Sequence, residues 1–434
     1  MAKSISMKVA MVLLPGVISG TAVASGFQLL EQSASGIGNA FAGSAAVAEN
    51  ASTVYFNPAG MTQLQGVQLS GGVAAVNPSF TFSDKNSSVG SLAGTGNGGN
   101  AGGWVGIPNG YASWGVSKDL FVGLGISAPF GLKTEYTNRW LGAAQSIKFD
   151  IKTLNINPSV AYKVSDNLSI GGGLNWQKIE AEYVRAAATT SAGAAAVNST
   201  MNLSDSAWGW NAGALFTVSP STKVGLSYRS QVKYHTTGDV KLASDGSAAG
   251  NATLAALVAA GRQSDLKADL TVPDTLIMSV TQKLSDKWEM LGDVSRTGWS
   301  SIPKVDIMRT SGTLNGLLAQ SLGTEFRNTW RVALGANYQY SQEWKLKFGI
   351  AYDQSPVKGA TTRLTSLPDN DRIWLSTGAQ WTLSKAAKVD LGLTYIHVKK
   401  SEINNNQTAD GRGLVSGDYT GSIWIVGAQY SHAF

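Results

Sequence analysis

From about residue 65 onward, apolar and polar side chains alternate over stretches of roughly ten residues, the length a tilted strand needs to cross a membrane. Between Trp344 and Asp353, the residues Trp344, Leu346, Phe348, Ile350 and Tyr352 share one face, and Lys345, Lys347, Gly349, Ala351 and Asp353 share the other. Successive side chains of a strand point to opposite faces, so period two enforces this separation. Trp330, Val332, Leu334, Ala336, Tyr338 and Tyr340 repeat it against Arg331, Ala333, Gly335, Asn337 and Gln339. So do Val389, Leu391, Leu393 and Tyr395, and Val224, Leu226 and Tyr228 against Lys223, Gly225, Ser227 and Arg229. Aromatics end these apolar faces and aliphatics fill their middles, as a lipid-facing wall with interfacial girdles requires. A soluble antiparallel sheet with one wet face would alternate too, but has no reason for the girdles.

Short polar turns punctuate the strands at Ser117-Lys118-Asp119, Ser165-Asp166-Asn167, Ser219 to Thr222, Ser285-Asp286-Lys287, Ser341-Gln342-Glu343 and Ser384 to Ala387. Longer Gly-, Ala-, Ser- and Asn-rich connections fall near 83 to 103, 134 to 145, 185 to 205, 241 to 265, 310 to 325, 354 to 369 and 402 to 415. Short turns at one end and long loops at the other predict an all-β membrane fold, a transmembrane barrel of about fourteen antiparallel strands. In the last strand Trp424, Val426, Ala428, Tyr430, His432 and Phe434 share one face, and the chain stops on the aromatic. Such an ending resembles the signal read by the bacterial barrel-assembly machinery.

Composition narrows the class. Lys3 and Lys8 precede an apolar run from Val9 to Ile18, and Ala22-Val23-Ala24 offers a small-x-small cleavage site, so residues 1–24 are expected to be a signal peptide. Beyond it no apolar run reaches the ~18 residues of a spanning helix, which excludes a helical membrane protein. The formal charge of +6 is weak and carries no basic block, which excludes nucleic acid as a partner. The chain has no cysteine, removing disulfides, thiolate nucleophiles and thiolate metal sites. No cofactor is expected.

Residues 26 to 64 lack the strand alternation and are rich in Gly and Ala. A barrel of this size has an interior too wide for its own side chains, so this stretch is expected to fill it. Ser25-Gly26-Phe27-Gln28-Leu29, Ser35-Gly36-Ile37-Gly38-Asn39-Ala40-Phe41-Ala42-Gly43 and Asn57-Pro58-Ala59 resemble the N-terminal hatch of the FadL family of long-chain fatty acid transporters, whose relatives include aromatic-hydrocarbon channels. The similarity continues through Trp208-Gly209-Trp210-Asn211-Ala212-Gly213, Tyr228-Arg229-Ser230, Arg331-Val332-Ala333-Leu334-Gly335, Asp353-Gln354-Ser355-Pro356-Val357 and Pro368-Asp369-Asn370-Asp371-Arg372-Ile373-Trp374-Leu375-Ser376. The resemblance implies a hatch over 25–64 and a barrel over 65–434, in the bacterial outer membrane. It also implies capture of ligand outside, transfer to an inner site at the hatch involving Phe27 and Leu30, and sideways release through a kinked third strand. That strand is expected from about Asp119 to Thr134. Pro129 cannot donate a ladder bond and Gly131 is a weak strand former, so Pro129-Phe130-Gly131 should interrupt pairing on their own account.

A fatty acid presents a long apolar tail and one carboxylate, so its site should be an apolar tunnel with one cationic or hydrogen-bonding group at an end. Arg185, in the family position of an inner-site arginine, and Arg327 are the candidates. Leu322 stands where the family pattern has lysine, which leaves room for a neutral ligand such as an aromatic hydrocarbon. Arg229, Arg331, Arg372, Lys345 and Lys347 fall on inward faces and are assigned to the wall's polar network. Leu254, Leu257 and Val258, and Leu314, Leu317, Leu318 and Leu322, have helical spacing and predict short apolar helices in the outer loops. By family comparison the loops near 185 to 205 and 241 to 265 form an outer groove. Asn57-Pro58-Ala59 is read as a contact between hatch and gate. His235, His397 and His432 are the only histidines and sit beside no hydrolase motif, so no enzyme is expected. An open porin would have no use for a hatch; an adhesin or receptor role for the loops is compatible with transport. The expected surroundings are outer-membrane lipid and lipopolysaccharide, with the protein as a monomer.

Overall fold

The computed structural model describes residues 26–88, 94–189 and 196–434; the expected signal segment, 1–24, and Ser25 lie outside them. Among the described residues a single antiparallel sheet closes into a barrel of fourteen strands. The first four are β1 (Val67–Asp84), β2 (Val105–Gly115), β3 (Leu120–Ser127 and Gly131–Glu135) and β4 (Lys148–Lys163). β5 (Leu168–Thr189) and β6 (Ala196–Ser219) follow, then β7 (Thr222–Arg229 and Val232–Ser244) and β8 (Ser264–Val272 and Thr275–Lys283). β9 (Trp288–Thr297 and Val305–Arg309) and β10 (Leu318–Leu322 and Thr329–Gln339) lead to β11 (Trp344–Asp353) and β12 (Arg372–Thr382). β13 (Ala387–Gln407) and β14 (Gly413–Ala433) end the chain. β14 pairs with β1 from Gln68↔Ala433 to Asp84↔Gly417, which closes the sheet on itself as a wall in lipid demands.

Burial inverts the soluble pattern. Leu334 (57% exposed), Phe348 (43%) and Leu391 (50%) face outward, while Lys347 (1%) and Asp390 (1%) are enclosed. A soluble sheet buries the first set and exposes the second. On β5 the outward Trp176 is followed by Lys178, Glu180 and Glu182, which places the upper membrane boundary near that ring and lifts the end of the strand clear of lipid.

The serine turns have one mechanism. Ser117, Ser165, Ser285, Ser341 and Ser384 each accept, through Oγ, backbone N–H groups two and three residues onward at 3.1–3.3 Å, closing the chain into the next strand. At the other end two expected loops are strand instead. β5 and β6 run on to Thr189 and from Ala196, and β13 and β14 leave only 408–412 between them. Their small polar residues suit hairpins that rise beyond the membrane, where either face can be wet. The loop helix α3 (Ala248–Ala259) forms, with Ser247 Oγ accepting from Gly250 N at 2.9 Å. Leu314 to Leu322 do not form a helix. Gly312 and Gly316 take positive φ (73° and 80°) and turn the chain, and Leu318–Leu322 pairs with Val305–Arg309.

Residues 26–64 fill the lumen with α1 (Ala34–Ile37), α2 (Thr53–Phe56) and a 3-10 turn, Pro58–Gln63. Two wall glycines admit the hatch, one its backbone and one a side chain: a Cβ on Gly349 would lie 2.2 Å from Asn39 C, and one on Gly213 would lie 2.1 Å from Asn57 Oδ1. Buried charges then fix it. Lys347 Nζ donates to Ser35 O (3.1 Å), Ser35 Oγ (2.9 Å), Glu49 Oε1 (2.6 Å) and Asp390 Oδ1 (2.9 Å). Arg331 donates to Ala40 O, and Arg229 donates to Tyr55 O at 2.9 Å while lying 4.2 Å above the Tyr55 ring.

Replacing Lys347 by Met leaves the Asp390 carboxylate enclosed without its cation and Glu49 with Lys345 alone, a loss of about 3–5 kcal/mol for breaking a buried pair. The expected outcome is a loosened hatch, read as faster deuterium exchange across residues 33–50 and larger ion currents in a planar bilayer. Protection and currents like those of the parent protein would refute this role.

Glu31 predicts a pH dependence of hatch seating. Burial pushes its carboxyl from the usual 4.5 up to about 7, against the opposing pull of backbone N–H groups, Arg372 and Arg331. The seated hatch therefore binds this proton more tightly than a released one, so seating is strongest below about pH 4.5 and weakens as pH rises to about 7. Exchange at residues 26–37, corrected for intrinsic rates, should increase over that window, and Glu31→Gln should flatten the dependence.

Candidate functional site

Going outward along β5, the inward side chains read Asn175, Gln177, Ile179, Ala181, Tyr183, Arg185: polar, then apolar, then cationic. The apolar rungs mark a cavity. It is walled by side chains such as Ile179, Tyr183, Met201, Leu203, Ile307 and Leu322. Leu364 and Leu367, from the connection between β11 and β12, close another side, and Phe27 of the hatch forms its foot.

The cavity exists because the strands break at one level. β7, β8, β9 and β10 are interrupted consecutively, with Thr275 opposite both Arg229 and Thr297, and Thr297 opposite Thr329. Pro273, Gly298, Pro303 and Gly323 stand in these breaks. The chain turns inward there and delivers Trp299, Ile302 and Phe326, all buried. Trp299 lies 4.8 Å from the Phe27 ring and 5.8 Å from that of Phe326.

β3 breaks too, at Ala128-Pro129-Phe130, so its two halves end and resume one residue away from the limits read from the sequence. Below the break β3 pairs with β2 over Gly110–Gly115. Above it, Gly131–Glu135 pairs only with β4, and Val105–Asn109 of β2 pairs only with β1. The wall between these two segments has no ladder. A cleft lined by Gly103, Trp104, Val105, Lys133 and Glu135 opens outward there, and Glu135 N donates to Ala101 O at 3.0 Å across its upper end.

The hatch supplies the partners that the kink has lost. Gln32 pairs with Ala128 in both directions, Nε2 donating to Ala128 O (2.7 Å) and Oε1 accepting from Ala128 N (3.0 Å). Leu29 N donates to Pro129 O and Gly131 N to Phe27 O, each at 2.8 Å. Thr153 Oγ1 takes the remaining pair, accepting from Phe130 N at 2.9 Å and donating to Phe130 O at 2.6 Å.

The residues singled out from sequence are thus divided. Phe27 lines the cavity and packs 5.8 Å from Phe130, while Leu30 packs half-buried on the surrounding core outside the cavity lining. Arg185 lies one inward rung beyond Tyr183. Arg327 is elsewhere: its Nε donates to Ser355 O (3.0 Å) and its guanidinium pairs with Asp371 at 3.4 Å. Leu257 borders the outer mouth, Leu254 is half-buried on α3 and Val258 is exposed.

Among the described residues the hydrogen bonds of Asn57-Pro58-Ala59 are made away from the kink. Asn57 Nδ2 donates to Ala45 O (2.7 Å) and Ala214 O (3.0 Å), while Oδ1 accepts from Ala59 N (3.1 Å), so the motif braces the hatch against β6. Gly213 offers the notch into which that side chain fits. Trp299, Ile302, Phe326 and Gln32 were missed from sequence. The inward apolar rungs of β5, in a lumen expected to be polar, were the available signal for the cavity. His235 forms an exposed pair with Asp269 at 2.8 Å on the outer face, away from it.

Residues 16–434 match the family described as "Outer membrane protein transport protein (OMPP1/FadL/TodX)". The chain is 30% identical to the long-chain fatty acid transport protein of Escherichia coli K12, covering 100% of this chain and 99% of that one. It is 31% identical to outer membrane protein P1 of Haemophilus influenzae over 91% of each. In fold it resembles a Pseudomonas aeruginosa FadL homologue (TM-score 0.86, 20% identity, covering 94% of this chain and 100% of that one). The Pseudomonas putida toluene transporter TodX is more distant (TM-score 0.66, 14% identity, 95% and 100% covered). With a closed barrel, an internal hatch and a match over nearly its full length, the chain belongs to the OMPP1/FadL/TodX family of transport proteins of the bacterial outer membrane.

Proposed function

We propose that this protein takes up long-chain fatty acids and similar amphiphiles, receiving the tail in the apolar cavity and releasing it sideways through the β3 kink. One observation carries the reading: the foot of the cavity, at Phe27, adjoins the unpaired stretch of wall between β2 and β3. Ligand is captured at the outer mouth, where Leu257 and the exposed Val258 offer apolar surface. Its tail enters past Tyr183, and Arg185 receives the carboxylate. Displacing Phe27 to Gln32 then frees the kink and opens the wall toward lipid. Transfer is diffusion down a gradient sustained by consumption inside the cell.

In this reading residues 1–24 are the export signal and the charges beyond Trp176 face lipopolysaccharide. Phe434, at 73% exposure, is offered to the assembly machinery, and the barrel works as a monomer. A second reading, a channel for aromatic hydrocarbons, is favoured by Leu322 in the cavity wall and by the engagement of Arg327 with Asp371. Mass spectrometry of molecules retained by the protein in mild detergent separates the two.

Arg185→Gln should weaken binding of palmitate by about tenfold, the worth of one charge-assisted hydrogen bond, and leave hexadecanol binding unchanged. Equal loss for both ligands would assign Arg185 to packing. Replacing Pro129-Phe130-Gly131 by Val-Thr-Val should restore the missing ladder and abolish palmitate uptake by cells, with the barrel still folded by its electrophoretic mobility before heating. Undiminished uptake in that variant would rule out the side exit.

A further inference from the structure

Beyond Arg185 lies a second chamber, and its chemistry is unlike that of the first. Four arginines border it: Arg185 on β5, Arg262 after α3, Arg309 on β9 and Arg412 between β13 and β14. Asp410 is the only carboxylate on the same wall among the described residues.

Among the described residues none of the four guanidinium groups is in a salt bridge. The partners found for them are neutral: Arg185 donates to Ala186 O (3.1 Å), and Arg309 to Arg262 O (2.6 Å) and Ser264 Oγ (2.9 Å). Arg412 donates to Gln407 Oε1 (3.2 Å). Arg185 Nε is buried with no hydrogen-bond partner, and Arg309 is only 6% exposed. Arg309 is buried, Arg185 and Arg412 are half-buried and Arg262 is exposed; like charges gathered without counter-ions are costly, most of all those withdrawn from water, and an incoming anion would remove that cost.

The chamber stands directly over the tail site. Tyr183 and Arg185, Met201 and Ser199, and Ile307 and Arg309 are successive inward residues of their strands, the first of each pair lining the apolar cavity and the second the arginine chamber. Arg185 is paired with Ser199, and Tyr183 with Met201, in unbroken register. Two residues of strand advance about 6.6 Å, so an amphiphile with its tail in the lower cavity has its head among the arginines.

We propose that this chamber is a headgroup site for long-chain amphiphiles bearing a phosphate monoester, which it binds in preference to monocarboxylates. The inference rests on the reading of the lower cavity as the tail site. Against Asp410 alone, four guanidinium groups leave three positive charges uncompensated. A carboxylate neutralises one of them. A phosphate monoester carries about −1.5 to −2 at neutral pH and three acceptor oxygens, matching more of the charge and more of the donors. Arginine forks bind such oxygens in pairs, which a single carboxylate can satisfy for only one of the four.

The test uses the full-length protein in nanodiscs, with binding of hexadecyl phosphate, palmitate, hexadecanol and inorganic phosphate measured by calorimetry at about pH 8, where the monoester is fully ionised. Hexadecyl phosphate should bind about tenfold more tightly than palmitate, the gain expected from one further charge-assisted pair. Arg262→Gln with Arg412→Gln, both in loops outside the barrel wall, should erase that preference without altering hexadecanol binding. The preference should also shrink near about pH 5, as the monoester loses its second charge. Palmitate binding as tightly as hexadecyl phosphate would overturn the proposal while leaving the tail site intact. Inorganic phosphate binding as tightly as the alkyl ester would also overturn it, making the chamber a site for the free anion. Failure of all three long-chain probes to bind would remove the tail site, and this inference with it.

Discussion

In hydrocarbon no water stands ready to satisfy a backbone N–H or C=O, so every strand of the wall must be paired along its whole length in lipid. β3 breaks this condition at Ala128 to Phe130, and the hatch repairs it from inside. Gln32 imitates a strand neighbour with both ends of its amide, and the backbone of Phe27 and Leu29 completes the exchange. Plug and wall are therefore a single hydrogen-bonded object at the kink. The hatch cannot move there without exposing polar backbone, and the wall cannot open there without moving the hatch.

The rest of the hatch is held by means of a different kind. Lys347, Arg331 and Arg229 reach inward from the barrel into charged and carbonyl acceptors of residues 35–55, and inward glycines let the two backbones touch. Breaking any one of these leaves an enclosed charge. The arm from Phe27 to Gln32, by contrast, is joined to the kink by neutral hydrogen bonds, each worth roughly 0.5–1.5 kcal/mol net. The division suits a plug whose body stays and whose leading arm yields.

How much of this was legible depended on the range of the interactions involved. The outward and inward faces of β10, β11, β13 and β14 could be read residue by residue, because period two is a local property and lipid on one side leaves it no freedom. The serine turns were equally local. Loop limits near 185–205 and 402–415 failed because small polar residues serve a hairpin above the membrane as well as a loop, and only pairing across to the neighbouring strand decides. The leucines from Leu314 to Leu322 failed for a related reason: helical spacing was present, but Gly312 and Gly316 break the segment and β9 offers it a partner. The kink was visible in Pro129, whereas its partner was not. Nothing local distinguishes Gln32 from any other glutamine; only the closed barrel brings it beside Ala128. The arginine chamber is the extreme case, assembled from four positions spread between residues 185 and 412.

The order of chemistries along the lumen also bears on direction. A tail in the apolar cavity has the arginines above it and the lattice of Lys347, Glu49, Asp390 and Arg331 below. Moving straight down would drag methylenes through enclosed ion pairs and part carboxylates from their cations, a cost of several kcal/mol for each pair disrupted. Moving sideways exchanges one apolar surrounding for another, so the roughly 0.8 kcal/mol gained for each buried methylene is kept throughout. What a sideways path must overcome is the small set of neutral hydrogen bonds between the arm and the kink. The proposed side exit thus follows from a comparison of barriers: a charged floor that is costly to breach, and a wall seam held by neutral hydrogen bonds.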